Sequence, residues 1–217
     1  MLKGVIFDMD GLMVDTEKLL QRFWCQSANE LGYAMTSEHV LSIRSMSAKY
    51  AIPYLKALLG DDFDYHAVRN HRIELMNEYI KQNGIDKKPG LDALLDYLKT
   101  TDLKIAVATA TDIKRTRIYL KSINIFDLFD KIVCGDMVKN GKPDPDIYLE
   151  ASAQLGLKPN ECIALEDSPN GILSAYRAGC MPIMVPDLSQ PDEDIKKILY
   201  AKCDTLYDVI PIIQKLI

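Results

Sequence analysis

Apolar residues gather in five short runs along the chain: Gly4 to Phe7, Lys104 to Ala108, Lys131 to Cys134, Cys162 to Leu165 and Met181 to Val185. Each is too short for a core helix and matches a strand covered on both faces, as in a parallel sheet. From the second run onward they alternate with helical patterns, among them Asp112 to Lys121, Pro145 to Leu155 and Ser168 to Ala178. That alternation predicts a doubly wound α/β fold with a parallel sheet. The interval after the first run breaks the rhythm: between Asp15 and about Lys88 there are only helical stretches, such as Glu17 to Leu31, Ser47 to Leu59 and Tyr65 to Lys81. The pattern therefore divides the chain into an α/β core, residues 1–15 and 84–217, and an all-helical cap, residues 16–83, inserted after the first strand.

Local signals support this division. Gly84, Pro89 and Gly90 at the second joint suit a hinge between core and cap. Ser168-Pro169 and Asp144-Pro145 each put a capping residue ahead of a proline at the first helical position. Thr111 reads as the N-cap of the helix that starts near Asp112.

With 217 residues, 48% hydrophobic and 26% charged, the chain is long enough to bury a core and has the balance of an ordered globular protein. A net charge of −5 with no basic cluster gives no footprint for nucleic acid. No eighteen apolar residues follow one another, and the run before Asp8 is too short for a signal peptide, so no membrane segment is expected. The five cysteines, Cys25, Cys134, Cys162, Cys180 and Cys203, are odd in number and scattered, which fits reduced thiols and a cytoplasmic location better than disulfides or zinc. His39, His66 and His71 stand at neither ligand nor triad spacing, which argues against histidine-based catalysis.

The chemistry gathers where strands end. Asp8-Met9-Asp10-Gly11 follows the first strand directly, placing two carboxylates at its carboxyl end, where open α/β sheets bind ligands. Such a pair can divide the work of phosphoester cleavage: Asp8 attacks phosphorus, and Asp10 protonates the leaving oxygen and later activates water. Thr109, Ala110 and Thr111 end the second strand and offer a hydroxyl and backbone N–H groups to a phosphate, Thr109 foremost. Lys142 sits in a constrained loop, Gly141-Lys142-Pro143, that can aim its ammonium at an anion. The fourth strand runs into Glu166-Asp167, two adjacent acids of the kind that hard cations such as magnesium prefer, which with Asp8 could complete a metal site. The residues by themselves leave open the identity of the metal and which of the two acids binds it directly. In a doubly wound sheet these strand ends share one edge, so the acids, the hydroxyl and the lysine meet in one crevice.

As a set, Asp8-Met9-Asp10-Gly11, Thr109, Lys142 within Gly-Lys-Pro-Asp-Pro, and Glu166-Asp167-Ser168-Pro169-Asn170-Gly171 resemble the four motifs of the haloacid dehalogenase superfamily, in family order and over essentially the whole chain. The likeness is to its branch of small phosphatases and sugar phosphomutases with a helical cap. It implies that Asp8 is the nucleophile, Asp10 the general acid and base, Thr109 with the amide of Ala110 a phosphate clamp, and Lys142 the charge that steadies Asp8 and the phosphoryl group. It also implies Mg2+ held by Asp8, the Asp10 carbonyl and Asp167, with Glu166 acting through water.

A carboxylate at Asp10 is absent from the dehalogenase and phosphonate-cleaving members, which disfavours both. β-Phosphoglucomutase carries a histidine one turn beyond the Asp-Thr pair that opens the cap, and Asp15-Thr16-Glu17-Lys18-Leu19-Leu20 has none, which favours hydrolysis over isomerisation. The expected activity is hydrolysis of small phosphorylated metabolites, sugar phosphates first, by a monomer. Thr16, Arg44 and Lys49 are the expected cap contacts to substrate. The alternatives are a β-phosphoglucomutase-like phosphomutase, a nucleotide phosphatase, a phosphoaspartate receiver, and a binding module without catalysis.

Overall fold

A computed structural model describes all 217 residues. Its strands are β1 (Gly4–Phe7), β2 (Lys104–Thr109), β3 (Lys131–Cys134), β4 (Cys162–Glu166), β5 (Met181–Met184) and β6 (Ala201–Lys202). They form one sheet in the order β3-β2-β1-β4-β5-β6, and every neighbouring pair is parallel. The helices are α1 (Glu17–Glu30), α2 (Ser37–Ser42), α3 (Ala48–Leu59), α4 (Tyr65–Asn83), α5 (Leu91–Leu98), α6 (Ile113–Ser122), α7 (Asp146–Leu155), α8 (Pro169–Ala178), α9 (Glu193–Ile198) and α10 (Ile210–Gln214). No helix is long and apolar enough to cross a membrane.

Strand alternation builds the two faces of the sheet. Val5, Phe7, Ile105, Val107, Ile163 and Leu165 point into a cluster of 29 buried residues, completed by α5, α6 and the C-terminal segment. Ile6, Ala106, Ala108, Cys162 and Ala164 point the other way, into a cluster of 13 beneath α7 and α8. The small side chains on that second face let the two helices lie close. Helix α7 uses Ile147, Ala151 and Leu155, four apart and so on one stripe, to cover it.

The chain winds from β1 outward to β3, then returns across β1 to β4. The winding direction therefore reverses beside β1, and the carboxyl ends of β1 and β4 open a crevice there. Helices α1 to α4 all lie between β1 and β2, and a third cluster of 10 buried residues, drawn from Trp24 to Val68, packs among them. The segments that lead into and out of this helical insert run side by side: Val14 bridges Lys87 in antiparallel fashion, Asp15 N–H donates to Asp86 O at 2.9 Å and Lys88 N–H to Met13 O at 2.9 Å. Lys88 adds an ion pair with Asp187 at 2.8 Å.

Two capping expectations are corrected. Ser168 caps α8 through Gly171 N–H, but Asp144 does not cap α7, because Pro145 holds that position and the Asp144 carboxylate accepts instead from Tyr50 Oη at 2.7 Å. Asp112, not Thr111, caps α6, accepting from Arg115 N–H. Thr111 is drawn away by a stronger acceptor, the ionisable carboxyl of Asp10.

Candidate active site

Asp8 lies one residue beyond β1, where its N–H still donates to Leu165 O at 3.0 Å, so the sheet ladder itself sets its position. Gly11, at φ +81°, turns the following loop back over β4, and a Cβ there would stand 2.2 Å from Asp167 Oδ2. Only glycine fits both that conformation and that approach. Asp10 then faces the cavity with both oxygens occupied: Thr16 Oγ1 donates to Oδ1 at 2.6 Å and Thr111 Oγ1 to Oδ2 at 2.7 Å.

Lys142 is fully buried. Its ammonium donates to Asp8 Oδ1 at 2.5 Å, Glu166 Oε1 at 2.6 Å and Ala108 O at 3.1 Å, which uses all three of its protons. Glu166 also accepts from Tyr148 Oη at 2.6 Å and from Ser168 Oγ at 3.3 Å. Gly171 belongs to this arrangement, since a Cβ there would fall 2.0 Å from the Glu166 carboxyl carbon. Thr109 is buried at the end of β2, where its hydroxyl accepts the Thr111 N–H at 3.1 Å and keeps its own proton available to the cavity. Ala110, exposed beside it, lines the same cavity.

Of the expected cap contacts, Thr16 is placed off the cavity, and Arg44 lines it with its guanidinium already engaged. Thr16 is fully buried and bonded to Asp10, with no surface on the cavity. Arg44 reaches the cavity wall, but its guanidinium is committed to Glu17 at 3.0 Å, to Ser189 Oγ at 3.0 Å and to Asp167. Two buried acids against it make a stronger claim on a guanidinium than open solvent does. Lys49 also lines the cavity and donates to Asn140 at 3.1 Å and Asp144 at 3.3 Å, tying the insert to the Lys142 loop. Sequence reasoning missed Glu17 and Tyr148, and it missed Arg69, Arg72 and Arg115, three arginines that line the same cavity. The i, i+3 spacing of Arg69 and Arg72 was the one readable signal; a tyrosine inside an amphipathic helix reads as core.

At the strand ends the buried acids outnumber the cations that touch them. Asp8, Glu17, Glu166 and Asp167 form ion pairs with only Lys142 and Arg44. Burial pushes Asp8 well above the usual carboxylate range; Lys142 opposes this, and the charges of Glu166 and Asp167 add to it. Burial likewise raises Asp167 strongly, against the pull of Arg44, and brings Glu17 to about 8. For Lys142, burial alone would lower the pKa, but the flanking Asp8 and Glu166 outweigh it and hold the amine above the ordinary lysine range.

This charge excess has a direction. Asp8 Oδ2 and Asp167 Oδ1 are buried with no hydrogen-bond partner, and ligand atoms of Asp8, Glu166 and Asp167 lie within 4.8 Å of one another. Unpartnered carboxylate oxygens on two of three closely grouped, buried acids suit a hard divalent cation, which takes oxygen ligands and offsets the charge.

Fold and crevice together define an α/β enzyme with buried acids and a lysine at the carboxyl edge of its sheet, roofed by helices. Residues 5–185 match the family model described as haloacid dehalogenase-like hydrolase. Hexitol phosphatase A of Escherichia coli is 34% identical over 186 residues, spanning 84% of this chain and 82% of that protein. Phosphorylated carbohydrates phosphatase of Thermotoga maritima is 32% identical over 182 residues, 82% of each. The crystal structure of CbbY from Rhodobacter sphaeroides in complex with phosphate aligns with a TM-score of 0.81 at 26% identity over 96% of each chain. The chain belongs to the haloacid dehalogenase-like hydrolase family.

Proposed function

We propose that this hydrolase is a magnesium-dependent phosphatase of small phosphomonoesters, sugar phosphates foremost, and that it works through a phosphorylated Asp8. The observation that carries the reading is the pairing of two unlike carboxylates on one strand end. Asp8 is neutralised on one side by Lys142 and has an unpartnered oxygen, while Asp10 is held at the cavity by two hydroxyls. The relatives named above act, by name, on hexitol phosphates and phosphorylated carbohydrates.

In the first step the Asp8 carboxylate forms a bond to phosphorus as the ester bond breaks, and Asp10 gives its proton to the departing oxygen. In the second, Asp10 takes a proton from a water molecule whose oxygen attacks the aspartyl phosphate; inorganic phosphate leaves and both carboxyls return to their starting states. Thr109 and the Ala110 amide clamp the phosphoryl oxygens, and Lys142 balances charge on Asp8 throughout. Asp8, Asp167 and the Asp10 carbonyl would hold Mg2+, with Glu166 acting through water and through Lys142; the cation supplies charge neutralisation to the phosphoryl oxygens. A cavity of about 460 Å³ built within one chain suits a sugar phosphate and supports action as a monomer. The five unpaired cysteines support a reducing, cytoplasmic setting.

The test is multiple-turnover phosphate release from sugar phosphates, nucleotides and β-glucose 1-phosphate with Mg2+, with glucose 6-phosphate followed in parallel. Release abolished by Asp8→Asn and by EDTA is the expected result. Isomerisation without release, or turnover that survives Asp8→Asn, would overturn the reading.

A further inference from the structure

The same cavity also gathers arginines. Arg69 and Arg72, one turn apart on α4, and Arg115 on α6 line it together with Asp8 and Asp10. Arg72 is only 4% exposed, yet its Nε has no hydrogen-bond partner. Its Nη1 reaches only the sulfur of Met76, at 3.9 Å, and the guanidinium lies 5.2 Å from the centre of the Trp24 ring. Among the three arginines, only Arg115 has a carboxylate, Asp112 at 2.8 Å.

Such a cluster runs against the ordinary rule that a buried guanidinium is paired and hydrogen-bonded. The face of Trp24 offers electrostatic attraction but accepts no directed N–H bond. Burial, reinforced by the like charges of Arg115 and Arg69, brings the Arg72 pKa down to about 10, so the fold holds these groups together against their preference. Nothing in the cleavage chemistry uses them, because Lys142, Thr109 and the acids already surround the reacting phosphate. The arginines come from both sides of the crevice, two from the insert and one from the core. An anion bound between them would therefore draw the two sides together.

We propose that Arg69, Arg72 and Arg115 form a receptor for a second anionic group on the substrate, a carboxylate or a second phosphate at the end remote from the ester that is cleaved. The guanidinium fork suits either group. This inference rests on the phosphatase reading of the same cavity and narrows it: preferred substrates are small phosphomonoesters with an anionic tail.

The experiment uses substrates matched everywhere except the tail. Glucitol 6-phosphate and 6-phosphogluconate differ only in a hydroxymethyl against a carboxylate, and glucitol 1,6-bisphosphate puts a phosphate at that position. The kcat/KM of each is measured with Mg2+ for the wild type and for Arg72→Gln, and binding of the three compounds to Asp8→Asn is measured by calorimetry. An anionic tail should raise kcat/KM at least about tenfold over the neutral tail, the value of one well-made charge-assisted contact. Whichever of the two compounds gives the larger gain identifies the tail. Arg72→Gln should bring the ratio to within about twofold of one; if that variant does not fold, Arg69→Gln at the half-exposed position should lower the same ratio.

A wild-type ratio near one, with glucitol 6-phosphate still hydrolysed, would overturn the receptor and leave the phosphatase standing. A ratio unchanged by Arg72→Gln would also overturn it. Should the wild type hydrolyse none of the three, the phosphatase reading fails, and the calorimetry still decides: equal affinity for neutral and anionic tails overturns the receptor, and tighter binding of the anionic tails upholds it.

Discussion

Both carboxylate oxygens of Asp10 accept a threonine hydroxyl, so the plane of the carboxyl is fixed before any substrate arrives. A general acid needs that fixed aim most when the leaving oxygen is basic and the proton must be well advanced in the transition state. Thr111→Val removes one of the two bonds. Each is worth roughly 1.5–3 kcal/mol when a charged group takes part, so kcat on a sugar phosphate should fall by about 10- to 100-fold. Loss on p-nitrophenyl phosphate should be much smaller, and Thr111→Ser should restore most of the rate. Steady-state kinetics on the two substrates checks this, and equal losses would count against positioning of Asp10. The same residue marks where sequence reasoning ends. Asp8, Lys142, Glu166 and Asp167 stand out because each follows or faces an apolar strand end. A threonine just before a helix looks like an N-cap whether or not a carboxylate from another strand waits beside it. Arg44 was legible as a residue of the right loop; that it would meet Asp167 depends on contacts more than a hundred positions apart, which no local pattern encodes.

At the scale of elements, the turn before α3 is fastened to the loop that carries Lys142. Ser47 N–H donates to Lys142 O at 3.0 Å, Tyr50 Oη to Asp144 at 2.7 Å, and Asn170 donates to Arg44 O at 2.9 Å from the start of α8. Closure of the helical insert over the crevice therefore has identifiable latches, and weakening one should favour the open form. Tyr50→Phe deletes a single bond to a carboxylate in a half-buried setting. Hydrogen exchange over residues 43–50 should speed up, with KM for a sugar phosphate raised about two- to tenfold, in line with roughly 0.5–1.5 kcal/mol for one hydrogen bond. Unchanged exchange there would show that the latch does not hold the insert. Most elements were legible because buried strands and amphipathic helices have distinct periods. β6 was not, because a strand of two residues, Ala201 and Lys202, has no period to show. Asp144 misled for a related reason: its capping signal is local, and Tyr50 competes for it from across the crevice.

For the molecule as a whole, buried acids crowded at the crevice are a liability to folding that a bound cation would relieve. Mg2+ at about 100 times its Kd should stabilise the native state by about 2.7 kcal/mol, raising Tm by roughly 5–10 °C for a chain of this size. Differential scanning calorimetry with and without EDTA measures the shift, and Asp167→Asn should remove most of it. An equal shift in both proteins would place the cation elsewhere. Because the helical insert leaves and re-enters the core through Val14 and Lys87, side by side, the sheet registers everything between them as little more than a turn. A lineage can therefore lengthen, shorten or exchange that cassette without moving a rung of the β1 ladder beneath it. New specificities can evolve in the roof while the chemical floor stays as it is.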